Sequence, residues 1–159
     1  MQAAVMNTLI LGIGNTLLTD EGIGVHVVHA LAEQFGEADD VTLLDGGTLS
    51  FTLAGAIEDA DRLIVVDASE LKADPGTVRT FVDADMDTFL SGPRRSVHEV
   101  GLTDLMSMAR LADRLPARRA LVGIQPAVLD WGEAPSAAVA AAIPAACGAV
   151  TRLIEAWRP

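Results

Sequence analysis

Four acidic side chains and one imidazole stand out for where they fall in the chain. Asp20 and Glu21 follow a short apolar run, Asp45 follows a second, Asp67 closes a third, and His98 lies in a polar stretch ahead of a helical pattern. Two carboxylates and an imidazole, if brought together, supply three oxygen or nitrogen donors. They leave positions open for water or a substrate group, as reactive metal sites do and closed structural ones do not. A transition-metal site is one reading of the set. Acidic residues at strand ends also cap helices and form turns, so a structural reading stands beside it.

The elements that must position these groups follow from periodicity. The runs Thr8–Gly12, Val41–Leu44 and Arg62–Val66 have the length and leucine-rich or β-branched character of strands separated by helices. Between the first two, Ile23, Val27, Ala30 and Leu31 share a helical face over Gly22–Phe35, with Gly36 as a stop. A shorter helix is expected over Ser50–Asp59. Pro75-Gly76 signals a turn into an edge or antiparallel strand at Thr77–Val82. A polar stretch precedes a helix over 102–111, a fifth strand spans Ala120–Ile124, and Pro135-Ser136 opens a long C-terminal helix that Pro144 should kink.

Alternating strands and helices predict a single α/β domain over residues 1–159, a twisted, mostly parallel five-stranded sheet with helices on both faces. In such sheets chemistry gathers at the carboxyl ends of the strands, in the crevice where chain direction reverses. A strand order beginning 2-1-3 would make the first and third strands neighbours. Glu21 and Asp67 would then approach, and His98 would have access to the same crevice.

Composition narrows the partners. The chain has 159 residues, half of them apolar, and eleven basic against twenty-two acidic residues give a net charge of −11. That balance disfavours nucleic acid and anionic membranes, whose binding depends largely on Lys and Arg. The start lacks a basic region ahead of its apolar run, and lone Cys147 has no internal disulfide partner, so cytoplasm is the expected compartment. The uncharged stretch from Ala134 to Thr151 is alanine-rich and interrupted by Pro135 and Pro144. It reads as a helix packed on the domain and not as a membrane insertion.

Several signals are set aside. Gly12-x-Gly14 begins like a dinucleotide fingerprint, but the third glycine is missing and the loop is acidic where pyrophosphate would sit. His26 and His29 share a helix face and are read as surface residues without ligand duty, Cys147, Met106 and Met108 as packing, and Arg94-Arg95 as a solvated loop. Neither Gly-x-Ser-x-Gly nor His-Glu-x-x-His occurs, which removes the usual serine hydrolase and zincin signatures.

Four segments in order carry a resemblance: Gly12-Ile-Gly-Asn-Thr-Leu-Leu-Thr-Asp-Glu-Gly-Ile-Gly24, Asp45-Gly-Gly-Thr48, Val65-Val-Asp-Ala68 and Ser96-Val-His98, with Gly123-Ile-Gln-Pro126 after the last strand. Together they resemble hydrogenase maturation proteases, from about Thr8 into the C-terminal helix. The resemblance implies a phosphorylase/hydrolase-like twisted sheet and an endopeptidase that removes the C-terminal peptide of a nickel-loaded hydrogenase large-subunit precursor. Family substrates end in Cys-x-x-Cys-x-x-His or Arg and are cut after the basic residue. It further implies that Glu21, Asp67 and His98 are the metal-binding and catalytic residues, with Glu21 and not Asp20 as the liganding acid. The nickel would arrive with the precursor, and other divalent metals would occupy the site in vitro. Asp45, Gly46, Gly47 and Asn15 would shape the cleft or contact substrate, although the Asp-Gly-Gly turn also accounts for them structurally. A monomer is expected. A non-catalytic nickel-site chaperone for the same precursor would use the same triad and differ in turnover. A nucleotide-binding domain would differ in binding without it.

Overall fold

Runs of four or more consecutive apolar residues suit strands covered on both sides, and the chain uses them so. A computed structural model of the protein describes residues 5–48, 51–92 and 99–159. Strands β1 (Thr8–Ile13), β2 (Val41–Gly47), β3 (Arg62–Ala68), β4 (Val78–Val82) and β5 (Arg118–Ile124) form a sheet of order β2-β1-β3-β5-β4. All neighbours are parallel except β4, which runs antiparallel to β5 at one edge. The expected 2-1-3 beginning and the antiparallel edge strand are both present.

Helices cover the two faces: α1 (Ile23–Phe35), α2 (Ala54–Asp59), α3 (Ala84–Ser91), α4 (Glu99–Leu111), α5 (Ala137–Ala140) and α6 (Ile143–Trp157). Side chains alternate across the sheet, so each strand feeds two cores. Ile10, Ile64, Val66 and Val122 join Val27 and Leu31 of α1 and Val150 and Ile154 of α6. Leu9, Leu11, Leu63, Val65 and Leu121 join Ile57 of α2, Met86 of α3 and Leu102 and Leu105 of α4. Each such side chain contributes about 1.5–3 kcal/mol by leaving water, which sets the helices firmly on the sheet.

Two local expectations change. The polar stretch before α4 contains the helix α3, whose buried side chains are Met86 and Leu90. Asp85 and Asp87 in its first turn suit the positive end of the helix. Asp87 also receives Arg119 Nε at 2.9 Å, tying α3 to β5. Pro144 does not kink a continuous helix. The chain stops α5 at Ala140 and restarts with Pro144 in the first turn of α6, where a missing N–H leaves no helical bond unmade. By length and composition the stretch Ala137–Trp157 would suffice to cross a membrane, while Ala146, Val150, Leu153, Ile154 and Trp157 of α6 belong to the core shared with α1.

Candidate active site

The site loop is set by contacts between main chains. After β1, Gly14 takes a φ of +142°, and a Cβ there would collide with the carbonyl of Glu21. A Cβ on Gly24 would strike the carbonyl of Val66 and lie 2.5 Å from that of Ile13, and one on Gly12 would lie 2.5 Å from the carbonyl of Gly24. Glycine at these three points lets the loop and the start of α1 rest directly on the ends of β1 and β3. Gly12 pairs with Val66 across the two strands, and Asp67 is the next residue of β3. Glu21, in the 3-10 turn Thr19–Gly22, and Asp67 are thereby brought to one stretch of the carboxyl edge.

Asp20 and Glu21 have separate destinations. Asp20 is fully buried, and its carboxylate accepts the N–H of Ala127 and of Val128 at 2.8 Å, the N–H of Ser136 at 2.6 Å and the Ser136 hydroxyl at 2.8 Å. Burial pushes its pKa up, but the N–H donors of Val128, Ala127 and Ser136 and the Ser136 hydroxyl outweigh it and hold the carboxyl below its ordinary value. Asp20 is committed to fastening the segment after β5 against the site loop. Glu21 is partly exposed at the edge. Thr19, a β-branched residue at φ 51°, is held in that strained conformation by its N–H donating to the Gly132 carbonyl at 2.8 Å and its hydroxyl donating to the Asp130 carbonyl at 2.6 Å.

Asp67 is fully buried beside Gly123 of β5. A carboxylate in that position is stable only with partners or a cation to balance it. Between β1 and β2 the register slips: Gly12 faces Asp45, Ile13 faces Gly47, and Gly46 is the extra residue. The slip opens a cleft of about 380 Å³ lined by Asn15, Asp45 and Gly47 among others. Gly46 turns inward instead, its Cβ position 2.8 Å from Leu11 Cδ1. Asp45 closes its own turn by accepting the Gly47 N–H at 2.9 Å, and its other oxygen lies 3.3 Å from His29 Nε2. Asn15 likewise accepts the Leu17 N–H at 2.9 Å.

His29 therefore has a partner, and the reading of the two histidines as bare surface residues is corrected: His26 is partly buried, with its Nε2 enclosed and without a hydrogen-bond partner among the described residues. Burial, and then the nearby His29, push its pKa down. His98, Arg94 and Arg95 lie outside the described residues, so the third member of the proposed triad is not placed. Among the described residues no group of three or more His, Cys, Asp or Glu side chains is arranged to hold a metal. Glu21 and Asp67 offer two carboxylates, an oxygen donor set to which an imidazole would add the nitrogen that favours the later transition metals. Cys147 packs against the core, where burial pushes its thiol up, as expected of a structural residue.

The sequence singles out Asp20 but does not reveal its clamping partners after β5. It gives no role to Gln125, buried after β5, whose Oε1 accepts the Leu71 N–H at 2.7 Å and whose Nε2 donates to Glu70 at 3.2 Å. Gln125 ties the segment after β3 to the end of β5. Nothing in local spacing distinguishes a clamp of this kind from an ordinary loop polar residue.

A doubly wound α/β sheet with carboxylates at the ends of β1 and β3 places them beside the topological switch point, where proteins of this architecture hold their ligands. A family model described as hydrogenase maturation protease matches residues 25–153. The chain is 39% identical over 150 residues to the hydrogenase expression/formation protein HupD of Rhizobium leguminosarum bv. viciae, covering 94% of this chain and 74% of that protein. It is 39% identical over 126 residues to the hydrogenase 2 maturation protease of Escherichia coli, covering 79% and 76% of the two chains. The solved structure of the hydrogenase maturating endopeptidase HybD from E. coli superposes with a TM-score of 0.86 at 36% identity, over 96% of this chain and 94% of that one. The chain belongs to the hydrogenase maturation protease family.

Proposed function

We propose that this protein is an endopeptidase that removes the C-terminal peptide from the nickel-loaded precursor of a nickel-iron hydrogenase large subunit. Family membership supports the class of reaction, and the observation that carries the site is the seating of the Glu21 turn on the end of β3 beside Asp67. Nickel belongs to the substrate in this reading. Glu21, Asp67 and His98 bind it where it sits in the precursor, which fixes the adjoining tail against the edge and makes cleavage depend on loading. The cleft lined by Asn15, Asp45 and Gly47 takes part of that tail. A water adds through its oxygen to the scissile carbonyl carbon while a carboxylate of the cluster accepts its proton. The proton then passes to the amide nitrogen as the C–N bond breaks, giving two products. The protein acts as a monomer in the cytoplasm, a compartment that suits its half-buried free thiol.

The test is processing of nickel-loaded and nickel-free precursor, read as the mass of the large subunit. Wild-type protein should shorten the loaded form alone. Glu21→Gln, Asp67→Asn and His98→Ala should each slow cleavage by at least a hundredfold, on the order of 2.7 kcal/mol of lost transition-state stabilisation. Wild-type rates in these variants would remove the triad. A stoichiometric complex without cutting would assign the protein a chaperone's role.

A further inference from the structure

Two loops at the carboxyl edge carry large apolar side chains into solvent. Leu17 on the first is 50% exposed, and Val128, Leu129 and Trp131 on the second are 40%, 43% and 80% exposed. Single exposed apolar residues are ordinary on a protein surface, but a group of them on joined loops marks an interaction site. The joining is extensive. Leu18 and Gly132 form a parallel bridge, the Gly132 N–H donates to the Leu17 carbonyl at 2.9 Å, and the Asp20 N–H donates to the Val128 carbonyl at 3.0 Å. The Asp20 carboxylate fastens the same segment from below. The patch is therefore preformed, and little conformational freedom is lost when a partner covers it.

We propose that this patch, centred on Trp131, is the docking surface for the folded body of the large-subunit precursor, holding it while its tail is cut at the neighbouring site. The proposal rests on the function given above. Glu21 follows Leu17 by four residues, so even a fully extended chain would keep them within about 14 Å. A protein interface of standard size covers about 800 Å² of each partner, a disc about 16 Å in radius. A folded protein that delivers its tail to Glu21 thus covers the patch, whereas a free peptide need not. Charge points to the kind of face that fits. No Lys or Arg occurs before Arg62, Asp130 and Glu133 are exposed on the second loop, and Arg62, Arg118 and Arg119 stand at the opposite, amino ends of β3 and β5; the described cations on the carboxyl side, Lys72 and Arg79, lie in the segment after β3 and in the edge strand β4, on neither of the two loops. The partner face is apolar at its centre and basic around it.

The experiment compares wild type with Trp131→Ala, Leu129→Asp and, as a control, Leu111→Ala, an apolar residue 89% exposed at the end of α4. Cleavage of nickel-loaded precursor is measured as kcat and KM, and the Kd for uncut precursor is measured separately. Loss of an aromatic anchor should raise KM and Kd roughly thirtyfold while kcat changes less than threefold. Leu129→Asp should weaken binding similarly, and Leu111→Ala should match wild type. Unchanged KM and Kd in both patch variants would overturn the proposal, as would self-association of wild type abolished by Trp131→Ala, which would make a second copy the occupant. If wild type binds precursor without cutting it, the protease reading fails and docking is decided by the same Kd comparison. Absence of any binding by wild type would overturn both.

Discussion

Replacing Asp20 by Asn alters one atom and should be costly. The carboxylate has no exposure to solvent and accepts four hydrogen bonds, one on Oδ1 and three on Oδ2. An amide has a single oxygen. Placed where Oδ2 was, it keeps the Ala127, Val128 and Ser136 hydroxyl bonds as neutral ones and points its NH2 at the Ser136 N–H. Converting three charge-assisted bonds to neutral ones costs about 1 kcal/mol each, and a buried N–H left facing a donor costs about 1–3 kcal/mol, for a total near 4 kcal/mol after some relaxation. For a chain of this size that is a fall in Tm of roughly 8–16 °C. The pH dependence follows from the depressed pKa of Asp20 in the folded protein. A carboxyl with a lowered folded pKa adds stability above its unfolded value, and that stability is lost as pH falls through the folded one. The gap between wild type and Asp20→Asn should therefore be widest near neutrality and narrow below about pH 4. Thermal melts followed by circular dichroism at a series of pH values measure both. A gap under about 3 °C at pH 7, or one that persists unchanged on acidification, would refute the clamp.

Two further substitutions test how the backbone is used. Gly24→Ala pushes a methyl group into the carbonyls of Val66 and Ile13, which cannot move without shifting β1 and β3. It should cost about 3 kcal/mol or more in urea unfolding, and a loss below 1 kcal/mol would show that the helix start has room to give. Pro144→Ala should change stability by no more than about 0.5 kcal/mol, because the residue sits in a first turn whose N–H has no helical partner. A large loss would mean that the break between α5 and α6 depends on the ring.

Much of the fold was legible because the strands are long apolar runs and α1 has a clean apolar face, signals that survive in any tertiary setting. The antiparallel β4 was visible from Pro75-Gly76 and the alternation that follows. Helix α3 was not, since eight residues with two buried side chains among aspartates look like a loop until Met86 and Leu90 meet the core. The break at Ala141 was also hidden, because an alanine-rich sequence around one proline fits a kink as well as a restart. At the site, the position of Glu21 and Asp67 on one edge followed from strand order. What separates Asp20 from Glu21 did not, because it lies in N–H groups more than a hundred residues away. The geometry leaves Glu21 partly exposed at the edge and commits the Asp20 carboxylate to those N–H groups.

The three close glycine contacts have a bearing on error. In most sites a functional group is located through a stack of side chains, each with its own play, and small displacements add along the stack. Here Gly12, Gly14 and Gly24 remove the intervening layers, so the turn bearing Glu21 is referenced to the strands through direct main-chain contact. Mutations in either hydrophobic core can loosen packing without much altering that reference. Drift among relatives should accordingly be cheap in the cores and expensive at three positions that carry no side chain at all.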